Sequence, residues 1–243
     1  KISDYLIKPV NPNQILLAIK KAIDNKRLLS EKTTIGYQQE FRKIGFSISE
    51  NMSFEQWKEV YRKLVYWELE LREFSEQEMH EVLAMQKAEA NSCFFRYIER
   101  NYYRWLRNPD KDTPVLSPQV FKKYVIPNID KNENPLFFIL IDNLRYDQWK
   151  IIQPVVNEYF RIVSDDLYLS ILPTTTQYSR NALFSGMHPS EIQKKYQSLW
   201  KDDMDEDGKN LHEETFLNDQ LIRHGLSIKC SYAKITNLEK GRS

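Results

Sequence analysis

The sequence predicts an α/β protein with a helical middle, and three observations lead to this fold class. Residues 46–108 contain neither glycine nor proline, and so long a stretch without a helix-breaking residue favours helix. Further along, the apolar run Leu136–Ile141 lies between a proline and an aspartate, which is typical of a strand buried on both faces of a parallel sheet. Prolines recur from Pro109 to Pro189 at the spacing of short strands, helices and loops. We therefore expect a helical part followed by an α/β part.

Composition and charge exclude several classes of protein. The 243 residues carry 35 Lys and Arg against 34 Asp and Glu, whereas a nucleic-acid partner held by bulk charge requires a basic excess. With 41% hydrophobic and 13% aromatic residues the chain can fill a core, which excludes disorder. No apolar run is long enough to span a membrane, and two cysteines are too few for a disulfide scaffold or a structural zinc site. Because the chain opens with neither Met nor a signal peptide, we expect a fragment of a cytoplasmic protein.

The first predicted elements are a short strand and an amphipathic helix. The strand ends in Lys8-Pro9, and the helix runs from Asn13 to about Leu29. Four apolar side chains lie on one side of this helix: Ile15, Leu16, Ile19 and Ile23.

The part without glycine and proline predicts two long helices, near residues 53–73 and 76–107. Six apolar side chains recur along the first at steps of three and four: Phe54, Trp57, Val60, Leu64, Trp67 and Leu71. Each helix opens with a capping box, which begins at Ser53 in the first and at Ser75 in the second. The joint between them is tight, so we expect an antiparallel hairpin. A third helix is expected around residues 37–46, either separate or as an extension of the helix before it.

The last part of the chain alternates strand and helix. After the strand Leu136–Ile141 we expect a helix over about residues 147–160, kinked at Pro154. The remaining expected elements are a strand at 167–172, a helix at 177–184 closed by Gly186, a helix at 213–224 and a strand at 226–235. Strand and helix in this order form an α/β unit.

Two polar segments follow buried strands, where α/β sheets bind ligands. The first is Asp142-Asn-Leu-Arg145. An aspartate fixed at a strand end can bind a metal ion, and it can equally cap the next helix, so both interpretations stay open on this residue alone. The second is the threonine run 174–176 at the start of a helix, where a hydroxyl faces unpaired backbone N–H groups. It could stabilise an alkoxide beside a phosphoryl group, or only cap the helix.

The N-terminal segment Asp4-Tyr-Leu-Ile-Lys8-Pro9-Val resembles the last strand of a two-component receiver domain, which has a flavodoxin-like fold, and the helix after it resembles the receiver's last helix. The resemblance implies that Lys8 pairs with the phosphoryl group on an aspartate. We expect that aspartate to lie outside this sequence.

The two polar segments together resemble the alkaline phosphatase superfamily, and more closely its PglZ branch. The resemblance implies that Asp142 binds a metal and that the helix-start threonine is the nucleophile, which the pattern Pro-Thr-x-Thr places on Thr176. It also implies zinc, with two ions in the intact protein, and Asn143 and Arg145 as possible supports of the site. We expect the remaining metal ligands outside this sequence. His212 stands among acidic residues that we interpret as a solvated loop: Asp202, Asp203, Asp205, Asp207, Glu213 and Glu214.

A receiver end, a helical spacer and a PglZ-type start, in that order, resemble the PorX-like response regulators. We accordingly predict three domains: the end of a receiver at 1–35, a helical bundle at 36–128 and the N-terminal part of an alkaline-phosphatase-like α/β domain at 129–243. The implied function is a response regulator with a metal-dependent phosphoesterase output, acting on phosphomonoesters or phosphodiesters and regulating type IX secretion.

The implied partners are a sensor histidine kinase, a second copy of the chain when the receiver is phosphorylated, and a sigma factor or secretion-system component. An alternative is a signalling adaptor whose phosphatase-like domain is degenerate and acts by partner binding or dimerisation. A DNA-binding regulator is disfavoured, because no helix-turn-helix with a basic recognition helix follows the receiver segment.

Overall fold

The computed structural model describes residues 12–49, 51–74, 77–129, 134–201 and 210–242. Its helices are α1 (Pro12–Ser47), α2 (Phe54–Phe74), α3 (Gln77–Arg107), α4 (Ser117–Val120), α5 (Tyr146–Val156), α6 (Thr176–Ser185), α7 (Pro189–Lys195) and α8 (Glu213–Arg223). A π-helical turn (Phe121–Val125) and a 3₁₀ turn (Ile126–Asn128) continue α4. The chain forms two compact units, a helical unit of residues 1–113 and 144–163 and a second unit of residues 114–143 and 164–243. None of the described helices is both long and apolar enough to span a membrane.

Helices α2 and α3 confirm the predicted pair within one or two residues at each end. The capping box of α2 is present, since the backbone N–H of Ser53 donates to Gln56 Oε1 (2.8 Å) and the N–H of Gln56 donates to Ser53 Oγ (3.3 Å). The box predicted at Ser75 lies outside the described residues. Four of the six predicted apolar positions of α2 are buried: Trp57, Val60, Leu64 and Leu71.

The contacts between α2 and α3 show the expected antiparallel hairpin. Near the start of α2, the Trp57 ring packs edge-on against Phe94, with 5.2 Å between ring centroids. Further along α2, Glu68 Oε2 accepts from Lys87 Nζ at 2.8 Å. Contacts that move backwards along α3 as they move forwards along α2 define two helices of opposite direction.

Helix α1 is a single helix of 36 residues, so the third predicted helix is an extension of the one before it. Its second half packs on the hairpin, where the fully buried Tyr37 lies 5.5 Å from Trp67 between ring centroids. The Tyr37 hydroxyl donates to Gln86 Oε1 (3.2 Å), and burial raises the pKa of Tyr37 to about 12. At Gly36, helices α1 and α2 come so close that a Cβ on this residue would lie 3.1 Å from the Trp67 ring.

The core of the second unit lies where α6, α7 and α8 meet. Its central buried side chains come from all three helices and from the turn after α4: Phe121, Val125, Phe184, Ile192, Phe216, Leu217 and Leu221. Helix α6 ends at Gly186 in the left-handed conformation (φ 63°), and the Gly186 N–H donates to the Ala182 carbonyl at 2.9 Å. The predicted helices at 177–184 and 213–224 are therefore confirmed, whereas the one predicted at 147–160 ends earlier, at Val156.

The predicted parallel sheet is not confirmed in the described part of the chain. Within the described residues, the one β-pairing is an isolated parallel bridge between Leu116 and Leu169. Residues 136–141 and 226–235 have no strand pairing. The prediction that Leu136–Ile141 is buried on both faces is wrong, because Phe137 is 83% exposed while Phe138 packs against the core. A strand is covered on both faces only when paired strands and helices surround it, and the described residues supply a core on one side alone.

Candidate active site

Asp142 lies in a turn at the end of the extended segment 136–141. The next residue, Asn143, has a left-handed backbone (φ 57°), which asparagine tolerates better than most residues. This conformation directs the Asn143 N–H to Asp142 Oδ1, at 3.1 Å. The alternative in which Asp142 caps the next helix does not hold, because α5 begins at Tyr146 with Arg145 as its N-cap residue. The Asp142 carboxylate is 43% exposed and so accessible to a ligand.

Thr176 is the first residue of α6. The N-cap residue is Thr175, and its side chain makes no capping hydrogen bond. Thr176 is half-buried, whereas Thr174 and Thr175 are exposed. Its hydroxyl therefore lies at the N-terminal turn, where the backbone N–H groups and the helix dipole favour negative charge.

Arg180 relates Thr176 to Asp142. It follows Thr176 by four residues on the same helix, so the two side chains share a face. At its end, Arg180 Nη1 donates to Asp142 Oδ2 at 3.1 Å. One arginine thus contacts the predicted metal-binding residue and lies on the helix face of the predicted nucleophile.

The other side of the Arg180 guanidinium is held by Glu213, the first residue of α8. Arg180 Nη2 donates to Glu213 Oε2 at 2.8 Å, and Arg180 Nε lies 2.7 Å from Glu213 Oε1. The Tyr232 hydroxyl donates to Glu213 Oε2 at 2.5 Å, and Lys234 Nζ lies 3.7 Å from the same oxygen. Burial, and then this hydrogen bond to a carboxylate, raise the pKa of Tyr232 to about 12. Glu213 is thus a buried carboxylate surrounded by three donors.

This environment corrects the interpretation of Glu213 as part of a solvated acidic loop. Its side chain is 1% exposed, and the ion pair with Arg180 and the tyrosine hydrogen bond compensate the cost of burying its charge. Composition alone could not separate it from its neighbour Glu214, which is exposed. The predicted loop residues 202–209 lie outside the described residues.

Two other residues with a role predicted from the sequence are Arg145 and Lys8. The Arg145 guanidinium makes two hydrogen bonds to the Asp147 carboxylate, at 2.9 and 2.8 Å, and they lower the pKa of Asp147. Lys8 lies outside the described residues. Three residues of this arrangement have no role in the site that was predicted from the sequence: Arg180, Glu213 and Tyr232. The spacing of four between Thr176 and Arg180 was the available signal.

Two family models match the chain. Residues 27–106 match the PorX response regulator linker domain. Residues 120–243, just over half of the chain, match the BREX system PglZ alkaline phosphatase-like domain. The chain belongs to the PglZ alkaline phosphatase-like family. No curated protein matches it.

The two matches in this order confirm the PorX-like arrangement of linker and PglZ-type domain. They indicate a response regulator, and hence a two-component system, with a phosphatase-like output domain. Neither match covers residues 1–26, so the receiver segment stays a prediction. Asp142, Thr176, Arg180 and Glu213 all lie within the PglZ match.

The donors present do not by themselves build a zinc site. Zinc in proteins takes three or four protein ligands. No group of three or more His, Cys, Asp or Glu side chains with metal-binding geometry occurs within the described residues. At this site Asp142 is an exposed oxygen ligand of suitable chemistry, whereas Glu213 is 1% exposed and its Oε2 already accepts from Arg180 and Tyr232. We therefore assign no chemical step to a metal.

Proposed function

We propose that this chain carries the phosphoesterase site of a response regulator's PglZ-type output domain, with Thr176 as the nucleophile. The observation that supports the proposal is the position of Thr176 at the start of α6, with Arg180 one turn later and in contact with Asp142. A hydroxyl, a helix N-terminus and a guanidinium on one face suit the transfer of a phosphoryl group, whose oxygens carry negative charge.

In the proposed reaction Thr176 Oγ forms a bond to phosphorus while the bond from phosphorus to the leaving alcohol breaks. The threonine hydroxyl loses its proton to solvent, and the leaving alkoxide takes one up. Water then attacks phosphorus and the bond from phosphorus to Thr176 Oγ breaks. The threonine oxygen takes up a proton, and phosphate leaves, or a phosphomonoester when the substrate is a diester. The N-terminal N–H groups of α6 are placed to hold negative charge on the phosphoryl oxygens during both steps.

Zinc is the cofactor that the resemblance implies, and we propose Asp142 as one of its ligands. The half-exposed carboxylate and the fixed turn beneath it support this role. The zinc content of the full-length protein, measured for the parent and for Asp142→Asn, tests the role without reference to turnover. We expect the Asn variant to hold less zinc, and an unchanged content would contradict the assignment.

We expect the full-length protein, loaded with zinc, to hydrolyse bis(p-nitrophenyl) phosphate faster than p-nitrophenyl phosphate, since the resemblance leans towards diesters. Initial rates for the two substrates, before and after removal of metal by a chelator, test the proposal. Activity that the chelator removes and zinc restores supports a metal-dependent phosphoesterase. If neither substrate is turned over after zinc is restored, the phosphoesterase proposal fails and the adaptor becomes the better account.

The remaining proposals concern signalling. We propose a cytoplasmic regulator that a sensor histidine kinase phosphorylates, that dimerises on phosphorylation, and that acts on type IX secretion through a sigma factor or a secretion component. The support is the continuity of α1, which begins four residues after Lys8 and runs for about 54 Å without interruption, with its second half packed on the hairpin. A continuous helix transmits a small rotation along its length, so it can couple a receiver to the helices that follow.

We expect beryllofluoride, a mimic of the phosphoryl group, to shift the full-length protein from monomer towards dimer. The reason is that the mimic binds one arrangement of the receiver more tightly than the other, and Lys8 supplies part of that difference. Sedimentation measures the shift, and Lys8→Ala should abolish it, whereas Lys20→Ala on the exposed side of α1 should not. An equal response in all three proteins would contradict the proposed coupling.

A further inference from the structure

The pairing of Arg180 with the buried Glu213 is more than a stabilising contact. Removing both charges from water costs several kcal/mol, and a buried ion pair often stabilises a fold no better than apolar side chains of the same size. Here the pair lies one helical turn from the proposed nucleophile, and only one end of it is accessible. What such a pair does provide is a fixed orientation of its charged groups.

We propose that Arg180 is the phosphoryl-binding residue of this site and that Glu213, with Tyr232, is the residue that positions it. The inference rests on the proposed function and names the group that holds the substrate's phosphoryl oxygens. Arg180 lies in the helix that Thr176 begins but has no role in the motif that led to Thr176, and neither Glu213 nor Tyr232 belongs to the motifs that led to Asp142 and Thr176.

The geometry separates the two edges of the guanidinium. Glu213 occupies the edge formed by Nε and Nη2, at 2.7 and 2.8 Å. Nη1 points the other way, to Asp142, whose carboxylate is 43% exposed. The Arg180 side chain is itself 16% exposed, so Nη1, which contacts the exposed Asp142, is the nitrogen through which it could meet a ligand, while the other edge faces a carboxylate that is 1% exposed.

Tyr232 fixes Glu213 in turn. Its hydroxyl donates to Glu213 Oε2, the oxygen that also accepts from Arg180 Nη2. With both donors in place the carboxylate cannot rotate without breaking a hydrogen bond in a buried environment, which is costly. The orientation of the arginine fork is thus set before any ligand arrives, and preorganisation of this kind favours binding.

A phosphoryl group is the ligand that suits this arrangement. Its oxygens accept charge-assisted hydrogen bonds from arginine, and the N–H groups at the start of α6 lie on the same side as Thr176. Phosphate would compete with Asp142 for Nη1 or share it. Glu213 makes no contact with the proposed ligand, so its substitution changes phosphate binding only through the orientation of Arg180.

The test measures binding of inorganic phosphate to the full-length protein by calorimetry, which requires no turnover. Arg180→Gln and Glu213→Gln should each weaken phosphate binding by about tenfold or more, because a charge-assisted hydrogen bond is lost or misdirected. Arg180→Lys should recover part of the loss. Glu214→Gln is the matched control: Glu214 is the exposed neighbour of Glu213, and its substitution should leave binding within about twofold.

Tyr232→Phe keeps the Arg180–Glu213 pair and removes one hydrogen-bond donor to Glu213. It replaces Glu213→Gln in this test if that variant fails to fold, and it should weaken phosphate binding by several-fold. Equal binding by the Glu213, Tyr232 and Glu214 variants would overturn the positioning role. A parent protein that binds no phosphate, or an Arg180→Gln variant that binds it normally, would overturn the assignment of Arg180. If phosphate binding behaves as expected in a protein without phosphoesterase turnover, the proposed function fails while this inference stands.

Discussion

Replacing Thr176 with alanine is expected to reduce phosphoester hydrolysis by the full-length protein at least about a thousandfold, because the variant has no oxygen to attack phosphorus. The loss should appear in kcat, since the substrate still meets Arg180 and the N–H groups of α6. Phosphate binding should therefore change little. Initial rates with a chromogenic phosphodiester measure the first effect, and calorimetry measures the second.

Thr175 provides the matched control for this experiment. It is the N-cap residue of α6, its side chain makes no capping hydrogen bond, and it is exposed. Thr175→Ala should keep activity within a few-fold of the parent, and Thr176→Ser should keep a measurable part of it. Near-normal turnover by Thr176→Ala, or an equal loss in Thr175→Ala, would show that the nucleophile is not Thr176.

The largest effect on stability is expected at Gly186, the residue that ends α6. With φ at 63° it has a left-handed backbone, and a Cβ there would lie 2.9 Å from Gln220 Cδ and closer still to the end of the Gln220 amide. Gln220 is 1% exposed and has little room to move. Gly186→Ala should lower the free energy of unfolding by about 3 kcal/mol, from backbone strain and overpacking together.

Gly225 separates the two contributions. Its φ is 71°, almost the same as at Gly186, but a Cβ there would have no neighbour within 4 Å. Gly225→Ala should therefore cost only the backbone term, about 1 kcal/mol. Urea unfolding followed by circular dichroism compares the two variants. If both variants lose the same free energy of unfolding, the contact with Gln220 adds no cost. That result would contradict the close packing of α6 on α8.

The helices of this protein could be predicted from the sequence because their signals are local. The apolar stripe of α2, the capping box at Ser53 and the glycine that closes α6 each depend on residues within a few positions of one another. The sequence does not decide the length of α1, because that length depends on a contact with another helix. A glycine such as Gly36 weakens a helix locally. It fits this position because α1 packs closely against Trp67 of α2.

The extended segments could not be predicted to the same depth. The run Leu136–Ile141 has the composition of a buried strand, yet burial on both faces depends on neighbours that the run itself does not encode. In the structure Phe138 and Leu140 contact the core while Phe137 and Ile139 are exposed. The apolar run therefore predicted the extended backbone and one buried face, and no more.

The candidate site shows the same division. The motifs indicated Asp142 and Thr176 because strand ends and helix starts can be recognised along the chain. Glu213 could not be recognised, since an acidic residue among acidic residues is usually solvated. Its burial arises from contacts with Arg180, 33 positions away, and with Tyr232, 19 positions away, which only the folded chain brings together.

The most direct test of the central claim is detection of the covalent intermediate. The full-length protein is mixed with an excess of phosphoester substrate, quenched in acid and digested, and the peptide that contains Thr176 is analysed by mass spectrometry. The account predicts a fraction of this peptide heavier by the transferred phosphoryl group, which still carries its second ester when the substrate is a diester, with fragment ions that place the group on Thr176 and with none in Thr176→Ala. Phosphate on Thr174 or Thr175, or steady turnover with no phosphorylated peptide at any quench time, would contradict it.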